Sequence, residues 1–385
     1  SPRIFANSFY NGKDIIFMSF IIFAMYFGLN FFKKPNFRNC LKFSLFAALA
    51  IDIRVLGVII PALIFGIIFL KIILTKVNIK EYLLNSFLIL PFLSIFITLF
   101  WPFLWEAPMN NFLDAFKVMS NYEIEILNFF RGEIISAGAV PWNYIPTWIL
   151  ITTPIFYIIF FFVGLANFFI NMSFFNKIKT TDIFYQDLLF LMLIFGSIFS
   201  VIVLGSTLLN GWRHFYFIYP SFVMITLCGF NYTYKIIKKK SLQNFFIAII
   251  FISFFNIGFW MIKNHPNQYV FFNNFVNKDV EKKYEMDYWG LSYKENFELL
   301  LSADKRENIK VWNASANNIF YHLFAINENE RSRIQKVEDK DEADYIITNF
   351  YIDKNTYDKN FFNSYELFNE ILVDGKSINT IFKKK

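Results

Sequence analysis

Residues 14–34 read DIIFMSFIIFAMYFGLNFFKK: one carboxylate, an uncharged run over 15–32, then two lysines. At 1.5 Å per residue a helix of that length covers about 27 Å, close to the hydrocarbon thickness of a bilayer. The ends are unlike. Asp14 closes one and Lys33 and Lys34 close the other. The same pattern recurs outward from this segment. Basic connectors occur at Lys33, Lys34, Arg38 and Lys42, at Lys71, Lys76 and Lys80, at Lys177 and Lys179, and at Lys235, Lys238, Lys239 and Lys240. The intervening connector 105–145 is acidic or mixed, with Glu106, Asp114, Glu123, Glu125 and Glu133. Positive connectors are retained on the cytoplasmic side. The polar residues at the opposite ends, Asp14, Arg54, Arg213 and His214, are therefore expected outside.

Composition supports an α-helical polytopic membrane protein. Hydrophobic residues make up 56% of the 385 and aromatics 22%, far more than a soluble core of this size requires. The net charge of +7 is accounted for by the basic connectors, and no basic run is interleaved with aromatics on a soluble segment, which excludes nucleic acid as a partner. Cys40 and Cys228 have no metal-ligand neighbours in sequence, and both fall near expected cytoplasmic span ends, where a structural disulfide is not expected. Ser1 follows no leader and reads as an internal start, with further residues expected upstream.

About eight spans are expected, at 15–32, 41–53, 55–74, 82–102, 146–170, 184–206, 214–234 and 243–262. An even number places both ends on the extracytoplasmic side. Trp101, Trp105, Trp142, Trp148, Trp212 and Trp260 read as an outer aromatic belt. The segment 103–145 is too polar to span, and the apolar spacing from Asn111 to Phe130 predicts an amphipathic helix on the outer membrane face. Residues 1–262 thus form the membrane domain. Residues 263–385 form a small extracytoplasmic α/β domain, with strands at Ile309–Ser315, Ala343–Phe350, Leu367–Val373 and Ser377–Phe382 and helices at Ser292–Leu301 and Asn317–Ala325. Asp374-Gly375 is a hairpin signal.

Candidate chemistry collects at the outer ends. Asp14 reads either as a helix cap or as an active-site carboxylate. Arg54 lies two residues from Asp52; residues at that spacing do not face each other on a helix, so mutual neutralisation is a poor explanation, and a guanidinium suits a lipid-linked phosphate. Arg213 is a cation on the side where topology does not call for one, beside His214, which reads as a proton relay, a metal ligand or a plain donor. Aromatic and polar groups in Asn264-His265-Pro266 and Asp287-Tyr288-Trp289-Gly290 serve either to dock the C-terminal domain or to stack on a sugar. No glycine-rich phosphate loop is present.

In Ser1-Pro-Arg-Ile-Phe-Ala, Asn11-Gly-Lys-Asp14-Ile, Ile53-Arg54-Val-Leu-Gly57, Pro141-Trp142-Asn-Tyr144-Ile-Pro146, Thr152-Thr-Pro154, Gly211-Trp-Arg-His-Phe-Tyr216, His265-Pro266 and Asp287-Tyr-Trp-Gly290, the chain resembles the dolichyl-phosphate-mannose–protein mannosyltransferase superfamily. The likeness is to its bacterial members related to the lipid A aminoarabinose transferases, membrane glycosyltransferases of the GT-C fold. The resemblance covers residues 1 to about 300 and implies an inverting transferase in the bacterial plasma membrane, using a polyprenyl-phosphate-linked sugar and an extracytoplasmic lipid, glycan or protein acceptor. Asp14 would be a catalytic acid, and Arg54, Arg213 and His214 would bind the donor phosphate. Trp142, Tyr144, His265 and Trp289 are further candidate substrate contacts. Some relatives hold a divalent metal near the site, and the resemblance assigns it no ligands here. The family's principal catalytic carboxylate lies in a first outer loop expected upstream of residue 1, and Asp52 stands where relatives carry an uncharged residue. The alternatives are a transporter or flippase of lipid-linked intermediates, or a non-catalytic fragment.

Overall fold

The computed structural model describes residues 1–75, 79–120, 126–174, 181–276, 279–315, 319–351 and 363–385. Lys76, Glu123, Glu125, Lys177, Lys179 and Asn317 lie outside the described residues. A short helix α1 (Pro2–Asn7) precedes α2 (Gly12–Lys33). The start of α2 is fixed by Asn11, whose side chain accepts the Asp14 N–H at 3.2 Å, the usual role of an N-cap asparagine. Helix α3 (Phe37–Ile53) runs back along α2, and a 3-10 turn at Val55–Val58 leads into α4 (Ile59–Leu74). Gly57 makes that turn possible: a Cβ there would lie 2.7 Å from the Ala50 carbonyl carbon. Next come α5 (Ile79–Phe100) and the amphipathic α6 (Pro108–Ser120).

The segment read as a helix from Asn111 to Phe130 differs from expectation at Leu127, beyond the described end of α6 at Ser120. The stretch read as helix up to Phe130 ends in a hairpin of β1 (Leu127–Phe130) and β2 (Glu133–Ser136). Its two-residue turn, Arg131 and Gly132 at φ 55° and 84°, has the doubly left-handed form that matches strand twist. The expected span 146–170 is two helices, α7 (Tyr144–Thr152) and α8 (Ile155–Phe174), broken at Pro154, which lacks the N–H needed to continue. Then α9 (Asp182–Leu191) and α10 (Ser197–Leu204) are joined through a π-helical turn at Met192–Gly196. Helices α11 (Tyr219–Ile236) and α12 (Lys240–Lys263) complete the bundle. Helices α8 and α11 approach to backbone contact, since a Cβ on Gly229 would lie 1.9 Å from the Phe160 oxygen and one on Gly164 2.2 Å from the Ile225 oxygen. Small residues permit that approach where lipid provides no hydrophobic drive to associate.

Seven helices, rather than eight, are long and apolar enough to cross a membrane among the described residues. The eighth expected span is α3, whose 17 residues include Arg38, Lys42 and Asp52. The chain is a helical multi-pass membrane protein with a small sheet at its C-terminal end. Two of the six tryptophans read as an aromatic belt are core instead. Trp148 and Trp212 are fully buried, the latter donating Nε1–H to Thr152 Oγ1 at 2.8 Å.

Beyond Lys263, residues 264–291 pack into the bundle's own core through Tyr269, Val270, Phe272, Tyr284 and Met286. The sheet follows. Helix α13 (Ser292–Ala303) covers a five-stranded sheet in the order β4-β3-β5-β7-β6, formed by β3 (Ile309–Asn313), β4 (Ile334–Lys336), β5 (Tyr345–Thr348), β6 (Tyr365–Val373) and β7 (Lys376–Lys384). β3 pairs in parallel with β4 and β5; β7 is antiparallel to β5 and β6. The second expected helix, Asn317–Ala325, is 3-10 over Ile319–Ala325.

Candidate functional site

The N-terminus of α2, the turn after α3 and the turn before α11 meet at one end of the bundle, around a single carboxylate. Asp14 is buried, 2% exposed. Its Oδ1 accepts a hydrogen bond from Arg54 Nη2; its Oδ2 accepts Asn11 Nδ2–H at 2.8 Å and stands 3.9 Å from Arg213 Nη1. The N-terminal end of α2 adds the positive pole of the helix dipole to the field at this carboxylate. Each guanidinium is delivered by a specific backbone feature. Arg54 ends α3 in an extended conformation, and Arg213 follows Asn210 and Gly211, both left-handed at φ 51° and 69°. Gly211 donates its N–H to Tyr144 Oη at 3.0 Å, so buried Tyr144 fastens this turn.

Lys13 and His214 lie within electrostatic reach of Arg54 and Arg213. Lys13, Arg54 and Arg213 thus set three cations against one carboxylate, an excess of two positive charges. Nε of both arginines is buried with no hydrogen-bond partner among the described residues. Buried donors left unpaired are costly, and a cluster with surplus positive charge and spare planar donors is built to take an oxyanion. The face of Arg213 is covered by Trp289, with Cζ 5.0 Å from the ring centroid, and Trp289 Nε1–H donates to Asn7 Oδ1 at 3.3 Å. Asn7 also accepts Asn11 Nδ2–H at 3.1 Å, so polar contacts run from Trp289 through Asn7 and Asn11 to Asp14.

The structure brings together Asp14, Arg54, Arg213, His214 and Trp289. Tyr144 sits one turn away as a support. Trp142 is 70% exposed and lines, with Tyr144 and α10, a separate cavity of about 210 Å³. His265 is exposed and exchanges a hydrogen bond with Gln268 Nε2 at 3.0 Å, outside the arginine cluster. Asp52 is not the partner of Arg54. Both its oxygens are buried with no partner among the described residues, while Arg54 pairs with Asp14. Lys13 was not among the residues read as functional. The signal was present in the sequence, as a cation at the second position of a helix capped by Asn11.

Two further acids are buried close by. Asp287 accepts Tyr269 Oη–H at 2.5 Å, the N–H groups of Leu291 and Ser292 at 3.0 and 3.2 Å, and the Ser292 hydroxyl, and so anchors the start of α13. Burial raises its pKa to about 6 despite these donors. Glu285 is raised to about 7, again by burial. Among the described residues no three His, Cys, Asp or Glu side chains gather as metal ligands, and Asp14 is occupied by guanidinium and amide donors, so this donor set does not fit a divalent metal.

No protein-family model, curated protein or solved structure matches this chain.

Proposed function

We propose that the chain is a GT-C-type membrane glycosyltransferase that moves a sugar from a polyprenyl-phosphate donor to an extracytoplasmic acceptor. One observation carries the reading: Arg54 and Arg213 converge on Asp14 with unpaired Nε donors, at the end of the bundle opposite the basic connectors. A sugar–phosphate–prenyl diester carries about one negative charge, and the prenyl phosphate released carries up to two. As the bond between the anomeric carbon and the phosphate oxygen breaks, its electron pair stays on that oxygen. The two-charge surplus of the cluster therefore favours the departing phosphate over the intact donor, which is the differential binding that accelerates a reaction. Asp14, with both oxygens engaged, orients the two guanidiniums. The acceptor hydroxyl gives its proton to a separate base.

Orientation follows from the basic end, which the positive-inside rule places in the cytoplasm, leaving the cluster and the sheet outside a bacterial plasma membrane. The test is transfer from a radiolabelled polyprenyl-phosphate sugar in proteoliposomes. Arg54→Ala and Arg213→Ala are expected to abolish transfer with normal expression, and Arg54→Lys to restore only part of it, because an ammonium lacks the planar fork. Wild-type transfer by both alanine variants overturns the phosphate-clamp reading.

A flippase of lipid-linked intermediates is the second reading, favoured by an ionisable pair within the spans: Cys228 Sγ lies 3.8 Å from Asp187 Oδ1, one helical turn from the π-helical segment. Movement of a fluorescent polyprenyl phosphate across the bilayer without sugar transfer selects it.

A further inference from the structure

Glu285 is 2% exposed, and no Lys or Arg lies within ion-pair distance of it among the described residues. Its two oxygens hold different parts of the molecule. One accepts the Phe129 N–H of β1 at 2.8 Å, and the other accepts Asn210 Nδ2–H at 3.4 Å. Asn210 is the first residue of the left-handed pair that delivers Arg213, and Nδ2 also donates to Tyr351 Oη, at 2.8 Å, from the sheet region. The hairpin grips the same turn from its other side: Asn128 Oδ1 accepts the Asn210 N–H at 2.9 Å and Asn128 Nδ2 donates to the Leu208 oxygen at 2.8 Å. Four residues after Glu285 comes Trp289, the ring under the Arg213 guanidinium. Glu285 thus joins the turn behind Arg213 to the segment carrying the platform beneath it.

We propose that Glu285 is a positioning residue, which through Asn210 and the Trp289 segment fixes the turn that presents Arg213 to the anion site. The claim that this turn is fixed stands on geometry alone; its consequence for phosphate binding rests on the reading given under Proposed function. The groups facing Glu285 are Arg213 from the turn, Arg3 from α1, Tyr144 from α7, Tyr351 after β5 and Tyr288 from its own segment. None forms an ion pair with it, and burial raises its pKa from 4.5 to about 7. A folded-state pKa raised in this way means that the packed junction holds the proton more tightly than the unfolded chain does. The desolvated charge therefore weakens the junction as a whole: its stability contribution is fullest below pH 4.5 and is lost as pH rises through about 7, while the Phe129 and Asn210 donors, which favour the carboxylate, oppose that loss in part.

The experiment is hydrogen exchange of the full chain in nanodiscs, corrected for intrinsic rates, on peptides covering 127–136 and 205–213 at about pH 5.5 and about pH 8.5. Wild type is expected to lose about thirtyfold in protection across that range, the linkage for a carboxyl at 4.5 in the unfolded chain and about 7 in the packed junction. Glu285→Gln, neutral and still able to accept the Phe129 N–H, is expected to stay protected at both values. Glu285→Ala is expected to be unprotected at both. Equal loss in wild type and Glu285→Gln, or full protection in Glu285→Ala, overturns the proposal. A second arm measures farnesyl phosphate binding at about pH 8.5, at which the probe has one charge state for all variants. Tighter binding by Glu285→Gln than by the equally neutral Glu285→Ala supports the link to Arg213. Equal binding by Glu285→Gln and Glu285→Ala overturns that link. If no form binds farnesyl phosphate while the exchange pattern holds, the phosphate reading fails and the positioning role stands.

Discussion

Asp14 is the residue on which the site balances, because it is the shared counter-charge of two guanidiniums in a desolvated corner. Removing one partner of a buried pair leaves the other charge uncompensated, at a cost on the order of 3–5 kcal/mol. Asp14→Asn keeps the shape and the N-terminal cap but leaves Arg54 and Arg213 to repel each other. It is expected to lower the thermal midpoint of the detergent-solubilised protein by several degrees. Asp52→Asn is the contrasting case. Its carboxylate is buried with no partner among the described residues, so neutralising it relieves desolvation and is expected to hold or raise the midpoint. Equal destabilisation by the two variants would contradict the assignment of Asp14 as the anchor. The sequence put Asp14, Arg54 and Arg213 on one list because each ends an apolar run. It did not show which acid Arg54 meets: Asp52 is two residues away and Asp14 forty, and only the antiparallel return of α3 along α2 brings the distant one close. Lys13 was not singled out, and its place in the charge surplus depends on side chains far off in sequence.

At the scale of elements, the helices were legible because length, apolarity and the sign of the flanking charge all vary together along the chain. What joins the helices was not legible. Gly164 and Gly229 lie 65 residues apart and mean nothing until α8 and α11 are seen in backbone contact. Gly229→Ala forces a methyl group into the space of the Phe160 carbonyl and is expected to destabilise by about 1–3 kcal/mol, the usual range for overpacking. Gly258→Ala in α12, where a Cβ meets nothing within 4 Å, is the control, expected to unfold like wild type in a thermal melt. Gly57→Ala tests how an element serves the site. Its methyl would push the turn off Ala50 and shift Arg54, so transfer should fall much more than expression does. The hairpin β1–β2 escaped the periodicity reading because Leu127–Phe130 is a short apolar run compatible with either period. Arg131-Gly132, which forms the turn, was the signal available in the sequence.

For the whole molecule, the question is which way the bundle stands. The sheet and the arginine cluster share one end: Trp260 Nε1–H at the end of α12 donates to Asp374 Oδ2 at 2.7 Å on the β6–β7 turn, and Trp289 reaches Asn7 beside the site. At the other end Lys71, buried at the foot of α4, meets Asp182 at 3.0 Å and lies over the Phe32 ring, among the exposed cations Lys33, Lys34, Arg38 and Lys239. An anionic inner leaflet contributes about 1 kcal/mol per nearby Lys or Arg, so such a cluster outweighs the half-buried Arg54 and Arg213, which Asp14 partly neutralises, at the far end. The orientation is therefore expected to be fixed. In a variant lacking Cys40 and Cys228, single cysteines at exposed Lys239 and exposed Ser302 report the two ends. In intact cells a membrane-impermeant maleimide should label Ser302→Cys and spare Lys239→Cys until the membrane is permeabilised. Labelling with the reverse preference would put the arginines in the cytoplasm, where the carrier's sugar would have to be presented from inside, and the extracytoplasmic transfer reading would fail while the anion site itself remained.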